Sequence, residues 1–174
     1  MTSLISRMPA AALLAGSIVI GAPAHGAAQS ARTPVAAFKK GNPCSILLPG
    51  EVGQILGVPV TMREIVDEAT CSFPFDAKPG AKPAAGDPPQ LTITMHWDDG
   101  PTAVAATRMT SKLFGGDAGF EKLQGIGDEA WLGPLASMLV FSKGKVGVEI
   151  DLRLIPDGRE KGIRLARLIA SRLP

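Results

Sequence analysis

The residues able to do chemistry are few. The 174-residue chain holds two cysteines, Cys44 and Cys71, and two histidines, His25 and His96. Structural zinc needs four ligands drawn from Cys and His, so this inventory argues against a metal centre. His96 and Asp98 share one face of a strand and could hold a hard cation; a solvated polar face is the simpler reading. No Gly-x-Ser-x-Gly elbow is present, so a serine triad would have to recruit His96. Glu149 and Asp151 form a carboxylate pair. Two positions along a strand puts them roughly 6.5–7 Å apart on one face, near the separation used by inverting glycosidases. Beside Lys145 and Arg153, on an exposed face, both acids are expected to stay ionised, which denies them general-acid work. Gly125-Ile126-Gly127-Asp128-Glu129-Ala130 satisfies Gly-x-Gly-x-x-Gly/Ala. A dinucleotide site needs a helix after that motif. Here Trp131-Leu132-Gly133-Pro134 follows, and two carboxylates in the loop would repel phosphate. The glycines are expected to shape a turn before a strand.

Charge and address narrow the classes further. Eighteen basic against sixteen acidic side chains leave a net charge of +2, without the basic excess of a nucleic-acid binder. Arg7 precedes an apolar stretch from Pro9 to Ala22, and small residues follow it. That is the pattern of a secretory signal peptide over residues 1–28, giving a secreted or periplasmic protein with no membrane-spanning segment in the mature chain. Export to an oxidising compartment makes Cys44–Cys71 a disulfide. No Cys-x-x-Cys spacing supports a reactive thiol pair. Closing a loop of roughly 28 residues is worth about 3.5 kcal/mol on chain-entropy grounds.

The elements that must position these residues follow from periodicity. Residues 29–42 read as a flexible leader, and 43–174 as a single domain. Pro49–Gly57 is a short helix, with Pro at its start, Glu51 at the positive dipole end and Gly57 as its stop. Extended segments follow near Val58–Ile65 and Thr70–Phe75, then an exposed Pro/Gly/Ala loop over 76–89. Leu91, Ile93, Met95 and Trp97 alternate with Thr92, Thr94, His96 and Asp98, the period of a half-buried antiparallel strand. A helix from Gly100 to Phe114 is expected to bury Ala105, Met109 and Leu113. Glu129–Leu132, Met138–Phe141 and Lys145–Leu154 are strands, the last two joined by a turn at Lys143-Gly144. Val146, Val148, Ile150, Leu152 and Leu154 should face the core.

The final helix, Gly158–Leu173, carries Leu165, Ala166, Ile169 and Leu173 as its stripe. Asp157 with Glu160 is expected to act as a capping box. Its Arg159, Lys161, Arg164, Arg167 and Arg172 could suit a membrane surface, but the stripe is needed to cover the sheet. The expected fold is α+β: an antiparallel sheet of about six strands, helices covering one face, and a weak helix-plus-three-strand duplication.

Cys44-Ser45-Ile46-Leu47-Leu48, Glu51-Val52, Ile55-Leu56-Gly57, Pro59-Val60, Cys71, Trp97-Asp98-Asp99 and Gly125 to Gly133 together resemble a known pattern. It belongs to small exported bacterial two-cysteine proteins, many of them actinobacterial lipoproteins, grouped as a domain of unknown function. That group is distantly similar to the extracellular sensor domain of a mycobacterial serine/threonine kinase. The resemblance implies an extracytoplasmic α+β domain without catalytic residues. The lipoprotein cysteine and any kinase segment are missing here, so tethering and signalling do not carry over.

The sequence therefore assigns no catalytic residue, no cofactor and no metal ligand. It favours a non-catalytic binding or sensor-like module of the cell envelope. The expected partner is an envelope protein or small ligand, met by a face bearing Thr92, Thr94, His96, Glu149, Asp151 and Arg153 alongside the Pro-rich loop. The alternative is a periplasmic hydrolase with its site around His96 and the two acids.

Overall fold

The structure is a computed structural model that describes residues 38–76, 89–115 and 119–174, with backbone only for 111–115. These residues fall within one compact unit, Pro34–Pro174. The expected signal peptide, most of the leader and nearly all of the 76–89 loop lie outside them. The helices are α1 (Pro49–Leu56), α2 (Gly100–Gly115) and α3 (Gly158–Arg172). The strands are β1 (Glu64–Ile65), β2 (Thr70–Pro74), β3 (Gln90–His96), β4 (Glu121–Leu123), β5 (Glu129–Leu132), β6 (Met138–Lys143) and β7 (Val146–Asp151). Single 3-10 turns cover Pro43–Ser45 and Pro134–Ala136.

All seven strands join one open antiparallel sheet, in the order β1-β2-β3-β7-β6-β5-β4. The α+β architecture is as expected, with one strand more than the periodicity suggested. The extra strand is β4, whose three residues are too few to show a period.

One face of the sheet is the core. Cys71 and Phe73 of β2, Leu91, Ile93 and Met95 of β3, and Val148 and Ile150 of β7 are fully buried there. Leu139 and Phe141 of β6 complete it. Val52 and Leu56 of α1 and Leu165, Ala166 and Ile169 of α3 cover this face, the last three as the helical stripe predicts. α1 begins with Pro49, and its Glu51 carboxylate accepts the Leu48 N–H at 2.9 Å. Gly57 ends it at φ +74°, a conformation that costs a side-chain-bearing residue about 1–2 kcal/mol.

Basic side chains then lock the α1 region in place. Arg172 donates to Glu51 through both terminal nitrogens and to the Ile46 carbonyl at 2.7 Å. Arg63 donates to the Cys44 and Leu47 carbonyls at 2.6 and 2.7 Å. Lys143 caps the end of α3 by donating to the Ala170 and Leu173 carbonyls. Cys44 and Cys71 form a disulfide with a Cα separation of 5.1 Å, tying the first 3-10 turn to β2.

α2 lies against the opposite face, over β6 and β7. The two three-strand meanders, β1-β2-β3 and β5-β6-β7, meet through their last strands. The expectation that the helices cover one face holds for α1 and α3 but not for α2, which Gly100 seats on the other side of β7, so the helices do not repeat with the strands. The buried side of α2 also differs from the expected stripe. Val104 is fully buried, while Ala105 and Met109 are exposed, and Leu113 lies outside the described side chains. The helix meets a sheet face that is not the core, and among its described side chains Val104 rather than Met109 is buried.

Three smaller expectations fail for local reasons. Leu154 is exposed, because β7 stops at Asp151, whose carboxylate accepts the Arg153 N–H at 3.0 Å and breaks the alternation. Ile155 takes the core position instead. Asp157 sits at φ +56° and makes no capping bond; its carboxylate lies 3.8 Å from Lys161 instead. The β6–β7 turn is Gly144-Lys145, one residue later than expected, with Lys143 paired to Val146.

Candidate functional site

The second face of the sheet divides into two zones. Under α2 it is apolar and aromatic. Gly100 packs on the backbone of Gly147 and Val146, Val104 and Val140 are buried, and the Arg108 guanidinium lies 3.7 Å from the centre of the Trp131 ring. Trp131 donates its ring N–H to Glu129 at 2.8 Å, and Arg108 reaches the same carboxylate at 3.4 Å. Beyond α2, over β2, β3 and β7, the face is polar.

That polar zone gathers the expected contact residues. Strand register places Thr92 opposite Asp151, Thr94 opposite Glu149 and His96 opposite Gly147. Because opposite residues project to the same side, five of the six named residues share one face. Arg153 follows the end of β7 and folds back onto it, holding Asp151 through Nε at 3.0 Å and Nη2 at 2.5 Å. The 77–88 part of the Pro-rich loop lies outside the described residues.

Sequence reading missed the third strand of this zone. Ser72 stands opposite Thr92, and Thr70 opposite Thr94. Ser72 is buried and donates to the Gln90 side-chain oxygen at 2.6 Å. The alternation of Thr70 and Ser72 with Cys71 and Phe73 was the available signal.

The two acids differ in a way their sequence setting did not suggest. Burial, with apolar Val140 directly opposite on β6, pushes the Glu149 carboxyl above its usual range, and the neighbouring Asp151 charge adds to this. His96 and Arg153 pull against that rise. The Arg153 guanidinium bonded to Asp151 holds that carboxyl below the usual range. The expectation that both acids are simply solvated is thus corrected: of the two carboxyls on β7, one is shifted up by burial and the other down by its guanidinium partner.

This shift has a stability consequence. A carboxyl whose folded pKa is raised disfavours folding as pH climbs through the ordinary carboxylate value, near 4.3, and the deficit persists at neutral pH. Glu149→Gln should therefore raise the melting temperature at pH 7. The gain should vanish near pH 3, where both states are protonated. Thermal melts at the two pH values check it; an equal gain at both would rule out the electrostatic cause.

Other motifs resolve into structure. Gly125 and Gly127 adopt φ +72° and +54° in the turn between β4 and β5. Asp128 ties that turn to the next hairpin, its N–H donating to the Ser142 carbonyl and its carboxylate accepting from Gly144 at 2.7 Å. A strand follows the glycines, as expected, where a nucleotide loop would need a helix. A Ser-x-x-Lys spacing, expected to be absent from the exported part, is present at Ser142 and Lys145; Ser142 is buried on the second face at a tight turn. On α3, Arg159 pairs with Glu121 and Arg172 with Glu51.

Among the described residues no cluster of three or more His, Cys, Asp or Glu is placed to hold a metal ion. None of the described helices is long and apolar enough to cross a membrane. No protein-family pattern, characterised protein or solved structure matches this chain.

Proposed function

We propose that this protein is an exported, non-catalytic recognition module of the cell envelope. Its contact surface is the polar zone of Thr92, Thr94, His96, Glu149, Asp151 and Arg153. One observation carries this reading. Residues from two strands distant in sequence converge on a half-buried polar part of the second sheet face, beside the part on which α2 packs. A flat strip with hydroxyl donors, a protonatable acid and an anchored Asp–Arg fork suits a polar partner: an envelope protein or a small hydroxylated ligand. The sensor-like character and the envelope address rest on the resemblance of the cysteine and glycine segments and on the signal-peptide pattern. The disulfide is compatible with that address. Mass measurement of the mature chain tests it: residues 1–28 should be absent and both thiols oxidised.

Cross-linking and pull-down from native envelope test the role itself. Wild type should retain a partner that Thr94→Arg loses, because the long charged side chain would stand at the centre of the strip. Equal retention by both would remove this face from the account.

A second reading is favoured by the split between Glu149 and Asp151. Acid and base assignments in carboxylate enzymes arise where environments push two pKa values apart. In this reading the protein is a hydrolase with Glu149 as acid and His96 or Asp151 beside it. Hydrolase screening of wild type against His96→Ala separates the two. Robust turnover lost in the variant would establish the second reading, and absence of turnover in both supports the first.

A further inference from the structure

The polar zone is unevenly satisfied. Ser72 donates to Gln90, and Asp151 is held by Arg153. Thr92, Thr94, His96 and Glu149 are half-buried, yet none of their side chains makes a hydrogen bond or ion pair with a described residue.

These four are neighbours. Thr94 stands directly opposite Glu149 across β3 and β7, and Thr92 and His96 flank it on the diagonals. Opposite residues hold their Cβ atoms roughly 4.5–5.5 Å apart, and diagonal neighbours at roughly 7–8 Å stay within reach of long side chains. His96 is near enough to act on the Glu149 carboxyl electrostatically.

Glu149 is therefore an acid among unused polar groups, without a cation of its own. The Arg153 guanidinium beside it is committed to both Asp151 oxygens. Burial raises the Glu149 carboxyl further than His96 and Arg153 lower it, the direction of an acid desolvated without full compensation. A compact cation with several donors completes such a group. A primary ammonium carries three N–H donors on one point charge: one for the Glu149 carboxylate, one for the Thr94 hydroxyl and one for the His96 ring. A metal ion fits less well, since His96 and Glu149 supply only two ligands and no cluster of three or more His, Cys, Asp or Glu stands among the described residues. A neutral hydroxyl supplies donors but leaves the charge unpaired.

We infer that the polar zone binds a primary alkylammonium group seated between Thr94, His96 and Glu149. The strip is a stretch of sheet rather than the concave site that encloses a free small molecule, so the group is a lysine side chain presented by a partner protein. The inference rests on the reading of this face as the recognition surface and names the chemistry recognised there.

Amide NMR of the oxidised chain at neutral pH tests it, with Nα-acetyl-lysine amide as the probe. At about 50 mM, well above a millimolar Kd, the probe should shift the amides of Thr94, His96 and Glu149, and its Nε-acetylated form should not. Glu149→Gln keeps the shape and removes the charge; it should weaken binding at least about tenfold, the scale of one charge-assisted hydrogen bond. No shift, an equal shift with the acetylated probe, or binding indifferent to Glu149→Gln overturns the inference. Glucosamine shifting the same amides at lower concentration overturns the lysine source. If no ammonium probe binds while Thr94→Arg still loses the partner retained from native envelope, the recognition surface stands and the ammonium site alone falls.

Discussion

Replacing Cys44 and Cys71 together with alanine is expected to lower the stability of the fold by about 2–5 kcal/mol. Most of the loss comes from the unfolded chain, which gains the freedom of a loop of roughly 28 residues, worth about 3.5 kcal/mol. The native state adds a smaller share, because Cys71 is fully buried and Cys44 is 3% exposed, so cavities replace packed sulfur. The serine pair should be worse than the alanine pair by roughly 1–3 kcal/mol, through buried hydroxyls without partners. Complete unfolding is not expected at moderate temperature. Arg63 and Arg172 still hold the carbonyls of Cys44, Ile46 and Leu47, so the segment stays docked in the native state. Urea melts of the oxidised chain and the two variants measure this. Midpoints unchanged by the alanine pair would show that the bond does not staple the fold.

Gly100→Ala should be strongly destabilising. Two effects compete. Alanine favours a helix over glycine by up to about 1 kcal/mol. Against that, a Cβ at Gly100 would run into the backbone of Val146 and Gly147, which no side-chain rotation can relieve. Overpacking against a fixed partner costs about 1–3 kcal/mol, and lifting α2 would also expose Val104 and Val140. The steric term wins, and a net loss of about 2 kcal/mol is expected, a fall of roughly 4–8 °C. A Cβ at Gly147 would press on Gly100 at 2.8 Å and on the His96 Cβ at 3.2 Å. Gly147→Ala should therefore disturb the polar zone as well as stability. Thermal melts compare both variants; a Gly100→Ala protein as stable as wild type would mean that α2 is not seated glycine to glycine.

What could be read from the residues alone tracks how strongly each segment repeats. β3 and β7 alternate over six or seven residues, and their registers put Thr92, Thr94, His96, Glu149 and Asp151 together as the alternation implied. α3 shows its stripe over four turns. α2 was legible as a helix but not in its facing, because Gly100 seats it on β7, a close approach that apolar spacing does not show. β4 is too short to carry a period and exists only by pairing Glu121–Leu123 with β5. The unequal acids of β7 were not legible, since the burial of Glu149 depends on tertiary packing that strand alternation does not show. Ser72 was readable in principle; its place beside Thr92 required the β2–β3 register.

The account rests on the polar zone being where a partner sits. A photo-reactive amino acid placed at Thr94, and separately at exposed Gln54 on α1, tests this directly in native envelope. The account predicts a discrete adduct from position 94 that Glu149→Lys abolishes, and none from position 54. Adducts of equal yield at both positions, or an adduct at 94 indifferent to Glu149→Lys, would contradict it.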